Sequence, residues 1–198
     1  MGSYLEACPV TDAGLAPVAE LTGLGHLNLN RTKVGDGGLE HLSKRASLVT
    51  LELKQTQITS AGLKHLRGMS NLEYLWLNGT KIDDEGLGQI AWLSQLKQLA
   101  LAQTRVTDSG LKELIRLRRL CWLGLQDTRV TDAGMLELAK ITSLTHLYLD
   151  RTQVTDEGLR RLSGLPNLSY ISVEGSRVSG EGIERLQAHF HYRLKVGE

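Results

Sequence analysis

Cys121 stands beside Trp122 and near His146, and a thiol next to an imidazole is a pairing that suits a nucleophile with its base. No orienting carboxylate and no oxyanion donors accompany them, so a thiol-dependent enzyme is the weakest functional reading of the chain. His41 and His65 occupy equivalent places in successive copies of a repeated pattern and could face one metal ion. A third ligand is missing, which favours solvent-facing histidines. His189 and His191 read as cap or tail residues. Cys8 and Cys121 compose neither a disulfide framework nor a four-ligand zinc pattern. The sequence therefore assigns no catalytic residue, no metal and no cofactor. What remains is binding chemistry, carried by aromatic rings, amides and carboxylates set at a fixed interval.

The interval runs the length of the chain without a slip. The hexad Val10-Thr-Asp-Ala-Gly-Leu15 recurs with its first residue at Val34, Ile58, Ile82, Val106, Val130, Val154 and Val178. Its fifth place is glycine in every copy, from Gly14 to Gly182. A second apolar triplet keeps the same step, from Leu24, Leu27 and Leu29 to Leu168, Ile171 and Val173. The L-x-L alternation has the period of a strand with one buried face, whereas Leu39 and Leu42 are spaced as on one helical face. Each unit reads as strand, turn, short helix and return. Thr11, Thr107, Thr131 and Thr155 suit helix N-caps, and the Asp that follows suits the positive end of the helix dipole. Ser60 and Gly180 replace that Asp in two copies. The recurrent glycine implies either a positive φ or a close contact between neighbouring units. Thr32, Thr56, Thr80, Thr104, Thr128, Thr152 and Ser176 follow the strands and read as a hydroxyl ladder for backbone groups in the core.

One such unit cannot enclose its own leucines, but stacked units bury them together. The repeat L-x-x-L-x-L-x-x-T-x-V-T-D-x-G-L-x-x-L resembles that of leucine-rich repeat proteins, and is most similar to bacterial ones built from 24-residue T-x-V-T-D-x-G-L units. The resemblance covers nearly the whole chain and departs from the commonest pattern in placing Thr where Asn usually forms the ladder. It implies an α/β, right-handed leucine-rich repeat solenoid of about eight repeats. The expected form is an arc with a parallel sheet on its concave face and short helices on its convex face. It further implies a surface that binds other macromolecules, with no particular partner. Relatives in ubiquitin transfer or signalling act through attached catalytic, F-box or kinase domains, and repeats fill residues 1–198 as a single domain.

Because exposed and buried side chains alternate along a strand, two columns must line the concave face. The first contains Tyr74, Gln98, Trp122, His146 and Tyr170; the second contains Trp76, Ala100, Gly124 and Tyr148. The chain has 3 Trp, 5 Tyr and 1 Phe, so fewer than one aromatic would fall among these slots by chance, yet five do. Ala100 and Gly124 suggest a low floor between aromatic walls, a hollow flanked by Gln126, Asp127 and Asp150. This composition favours a protein or peptide partner presenting Arg or Lys. A glycan is the alternative, since the same rings suit sugar faces.

Charge adds exclusions. With 23 Lys plus Arg against 22 Asp plus Glu, nothing resembles the footprint that follows a phosphate backbone or an anionic bilayer, which disfavours nucleic acid and membrane. No apolar run approaches a membrane span and no secretory signal opens the chain. The compartment is left unassigned. Lys33, Lys81, Arg105, Arg129 and Arg177 form one column, joined by Arg116, Arg118 and Arg119. The neighbouring Asp column should balance them in weak ion pairs. Arg45 breaks an otherwise apolar column and should snorkel. Counting back one period places Leu5 in a strand with no polar cap, which predicts an edge prone to self-association and a longer parent protein. At the other end, Leu194 and Val196 alternate with Arg193 and Lys195, which predicts a last strand after a one-residue deletion.

Overall fold

The computed structural model describes residues 2–21, 23–190 and 194–197. His191 and Arg193 lie outside the described residues. Each L-x-L triplet is a three-residue strand: β1 (Gly2–Tyr4), β2 (His26–Asn28), β3 (Thr50–Glu52), β4 (Tyr74–Trp76), β5 (Gln98–Ala100), β6 (Trp122–Gly124), β7 (His146–Tyr148), β8 (Tyr170–Ser172) and β9 (Lys195–Gly197). They form one parallel sheet in chain order. From β2 to β8 the central apolar residues stand opposite one another at the repeat interval, Leu27 against Leu51 and so on to Leu147 against Ile171. These leucines are fully buried, each stabilising the stack by about 1.5–3 kcal/mol relative to exposure.

Among the described residues, six α-helices return the chain along the other side: α1 (Asp36–Leu42), α2 (Asp84–Ile90), α3 (Asp108–Leu111), α4 (Asp132–Leu138), α5 (Asp156–Arg161) and α6 (Gly180–His189). Two other repeats use 3-10 segments instead, beginning at Asp12–Leu15 and at Ser60–Gly68. Leu39 and Leu42, Met135 and Leu138, and their equivalents meet the strand leucines in one continuous core.

The joints between repeats are made by the hexad, and they reassign its Asp and its Gly. Asp36 accepts the backbone N–H of Thr59 at 2.8 Å and the Thr59 hydroxyl at 2.6 Å. Asp84 does the same for Thr107, Asp108 for Thr131, Asp132 for Thr155 and Asp156 for Ser179. The Asp thus clamps the next repeat, a stronger role than the dipole complement expected of it. The glycine is small for the same reason. A Cβ at Gly110 would lie 2.6 Å from Asp84 Oδ1, and at Gly62, Gly134, Gly158 and Gly182 it would collide with the corresponding carboxylate. No hexad glycine needs a positive φ. The Thr caps survive as long contacts, 3.3–3.4 Å, at Thr107, Thr131 and Thr155, and Thr11 and Thr59 make none.

The hydroxyl column partners backbone groups as expected, and at the chain's end one expectation is corrected. Each hydroxyl donates to the carbonyl three residues earlier, Thr104 to Leu101 at 2.7 Å and Thr128 to Leu125 at 2.6 Å, sealing its own turn. The last strand follows an insertion, not a deletion, because Ile171 pairs with Val196, one place beyond the Lys195 that an unbroken period would set opposite it. The longer α6 takes up the extra length.

Candidate functional site

Alternation along β4 to β8 brings the predicted aromatic residues to one concave surface, in register. Tyr74, Gln98, Trp122, His146 and Tyr170 are consecutive strand partners, and so are Trp76, Ala100, Gly124, Tyr148 and Ser172. The expected hollow between them is closed. Trp76 and Trp122 reach across β5 until their ring centroids are 5.7 Å apart, and Ala100 beneath them is only 2% exposed. Trp122 leans along its own strand onto Gly124, where an added Cβ would lie 3.0 Å from the indole. The contacts continue from Trp122 to Tyr148 at 4.9 Å, from Tyr148 to Tyr170 at 5.1 Å and from Tyr170 to His146 at 5.8 Å. Large rings with small neighbours bury more apolar area by tilting onto one another than by standing apart. The outcome is a continuous aromatic strip whose members are all half-buried, with Gln98 half-buried between Tyr74 and Trp122.

The acidic groups expected beside the rings are engaged within the chain. Arg151 donates to both oxygens of Asp127, at 2.6 and 2.8 Å, and this guanidinium holds the Asp127 carboxyl below the usual carboxylate range. Asp150 is buried and accepts the Ser172 hydroxyl and the Glu174 N–H. Gln126 brings its side-chain oxygen toward Gly124. Cys121 and His146 are each hydrogen-bonded to another group. The Cys121 thiol donates to the Lys97 carbonyl, and the His146 ring is held by the Thr145 hydroxyl at 2.9 Å.

At its β4 end the strip meets a polar pocket of about 360 Å³, bounded in part by Asn30, Glu52, Lys54, Gln55, Asn78 and Gln103. Glu52 accepts from the Asn30 amide at 2.7 Å and its other oxygen lies 3.2 Å from His26 Nε2, which has no hydrogen-bond partner among the described residues, while the Lys54 ammonium lies 4.3 Å from the Trp76 ring centre. The sequence reading missed Lys54. It belongs to the column two residues beyond the second concave one, with Asn30 and Asn78, and following the repeat step there would have exposed it. The rim is backbone-strained as well. Arg31, Gln55, Gln103, Asp127 and Arg151 hold φ between 53° and 58°, where a side chain costs about 1–2 kcal/mol.

Among the described residues no cluster of His, Cys, Asp and Glu could hold a metal ion, and no helix is long and apolar enough to cross a membrane. A family model described as Leucine Rich repeat matches residues 68–91 and 140–163. Among curated proteins, none matches the chain significantly. An internalin of Listeria monocytogenes superposes with a TM-score of 0.68 at 21% identity, over 93% of this chain and 57% of that one. A leucine-rich repeat protein of Leptospira interrogans gives 0.69 at 22% identity, over 92% of this chain and 45% of that one. Internalin C2 of Listeria monocytogenes gives 0.56 at 26% identity, over 89% and 80%. The chain spans about half the length of the first two structures. Two repeats match the family model, and the unmatched repeats keep the same period and sheet register, so the chain folds as a leucine-rich repeat solenoid.

Proposed function

We propose that residues 1–198 act as one non-catalytic protein- or peptide-binding domain whose contact surface is the aromatic strip of Trp76, Trp122, Tyr148 and Tyr170. Leucine-rich repeat folds commonly serve as protein-binding modules, typically without enzymatic activity of their own. The observation that carries the reading here is the strip itself, four large rings in mutual contact and half-exposed on a rigid sheet. Amphipathic rings already ordered before binding lose little entropy when a partner covers them, which is why Trp and Tyr dominate binding energetics.

Panning a displayed random-peptide library on the wild-type chain and retesting the selected peptides on variants tests this. Trp122→Ala and Tyr148→Ala should weaken them by about 2 kcal/mol, near thirtyfold, while Tyr148→Phe keeps most of the affinity. Peptides that bind all three variants as they bind the parent would place the functional surface elsewhere. A second reading has its own observation in the polar pocket beside Trp76, whose amides and carboxylate suit sugar hydroxyls. Binding on a glycan array that is lost in Gln55→Ala or Asn78→Ala, but not in Tyr148→Ala, would favour it over the peptide reading.

A further inference from the structure

Trp92 follows α2 on the side of the molecule away from the concave sheet, and it is 58% exposed. The repeat column it occupies otherwise holds Glu20, Lys44, Gly68, Arg116, Lys140, Gly164 and Ala188, so no core position requires a ring there. Two guanidinium groups attend the indole, Arg67 from the preceding repeat at 5.2 Å and Arg116 from the following one at 5.7 Å. Lys64, Lys112, Arg118 and Arg119 are exposed in the same three repeats. None of these six cations forms an ion pair among the described residues, and the carboxylates of Glu85 and Glu113 stand in the same repeats. Glu73, at the nearby strand entrance, is already bound by Lys97 at 2.7 Å. The hexad carboxylates Asp84 and Asp108 turn into the repeat joints, where they bond Thr107 and Thr131 and form no ion pair with these cations. In a chain whose net charge is +1, the six cations still outnumber the acids around them.

We propose that this face is a second binding surface, independent of the concave strip, for an acidic polypeptide segment carrying apolar side chains. Arg and Trp together are the residues most enriched in binding hot spots, and a carboxylate bridging Arg67 and Arg116 would leave an adjacent apolar side chain on the indole edge. A nucleic-acid base has less to offer, because guanidinium groups from both neighbouring repeats already occupy the ring surroundings. The patch is also narrow. It is confined to three repeats, and carboxylates return on either side at Glu40 and Glu137. That width matches a few residues of extended peptide better than a bilayer or a duplex.

The test uses a short fluorescein-labelled peptide of repeating Glu-Glu-Leu, with oligo-dT and phosphatidylserine vesicles as the competing anions. Fluorescence anisotropy should show saturable peptide binding that weakens with salt. Trp92→Ala and the double variant Arg67→Glu/Arg116→Glu should each raise Kd by about tenfold or more. Trp76→Ala should leave it unchanged. All substituted side chains on this face are exposed, so urea midpoints near that of the parent will show that folding is not the cause. Absence of binding, equal binding by the Trp92 and Arg variants and the parent, or tighter binding of oligo-dT or vesicles than of the peptide would each overturn the proposal.

Discussion

A methyl group added at Gly86 of α2 would lie 2.8 Å from the Ser60 hydroxyl and 2.9 Å from a methyl of Ile82, whereas one added at Gly88 meets nothing within 4 Å. In an open helical position Gly→Ala stabilises by about 0.5–1 kcal/mol, because alanine has less backbone freedom to lose on folding. Gly88→Ala should therefore raise the urea midpoint. Gly86→Ala should lower it by about 1–3 kcal/mol through overpacking at the repeat joint. Two glycines in one helix with opposite signs would separate the steric role from helix propensity, and a gain at both would refute it. The concave rings obey a related steric rule. Trp122 touches Trp76 and Tyr148 and covers Gly124, so Trp122→Ala should cost about 1–3 kcal/mol of stability in addition to any binding it removes. An unchanged denaturation midpoint would show that the ring contacts contribute no net stability.

At the scale of the element, the repeat was legible because its period never slips from Val10 to Val178, and alternation about each strand leucine named the residues of the concave face. The shape of that face was not legible. Whether Trp76 and Trp122 stand apart or tilt together depends on ring packing, which no column of residue types contains. The joints were hidden differently, since Asp after Thr satisfies the helix-start pattern and masks the partner one repeat away. One clue was present. Ser60 replaces Asp in its copy and Asp83 replaces Thr in the next, and these two departures are separated by the same step as Asp36 from Thr59 or Asp84 from Thr107. In the structure they are one joint with its polarity reversed. Ser60 donates to Asp83 at 2.5 Å and accepts the Asp83 N–H at 3.0 Å, and the hydroxyl holds the Asp83 carboxyl below the usual carboxylate range. Ser60→Asp alone would set two carboxylates against each other and should destabilise by about 1–3 kcal/mol. Ser60→Asp/Asp83→Thr should recover most of that loss by rebuilding the ordinary clamp. Additive losses in the double variant, measured by urea unfolding, would show that the two sites are uncoupled.

Over the whole molecule, each repeat of a solenoid touches only its neighbours, so stability is the sum of the repeats and their joints. The hydroxyls at Thr104 and its equivalents seal single turns, while the leucines pack without charge. The joints and the surface pairs contain the groups that titrate. Asp83 is held below the usual range by the Ser60 hydroxyl, Asp156 by the Ser179 hydroxyl and backbone, Asp127 by the Arg151 guanidinium and Glu157 by the Arg160 guanidinium. A carboxylate whose folded pKa lies below its unfolded value adds stability that is complete above the unfolded pKa, about 4. That stability drains away as pH falls through the folded value. The urea midpoint should thus stay level from neutral pH down to about pH 5 and decline below about pH 4. Asp156→Asn keeps a side-chain oxygen that can accept the Ser179 N–H but loses the charge, so it should be less stable than the parent at neutral pH. It should also lose less on acidification, the two curves converging toward the acid end. A parent midpoint that stays level through the carboxylate range, or an Asp156→Asn curve parallel to the parent throughout it, would show that the joint carboxylate contributes no pH-dependent stability.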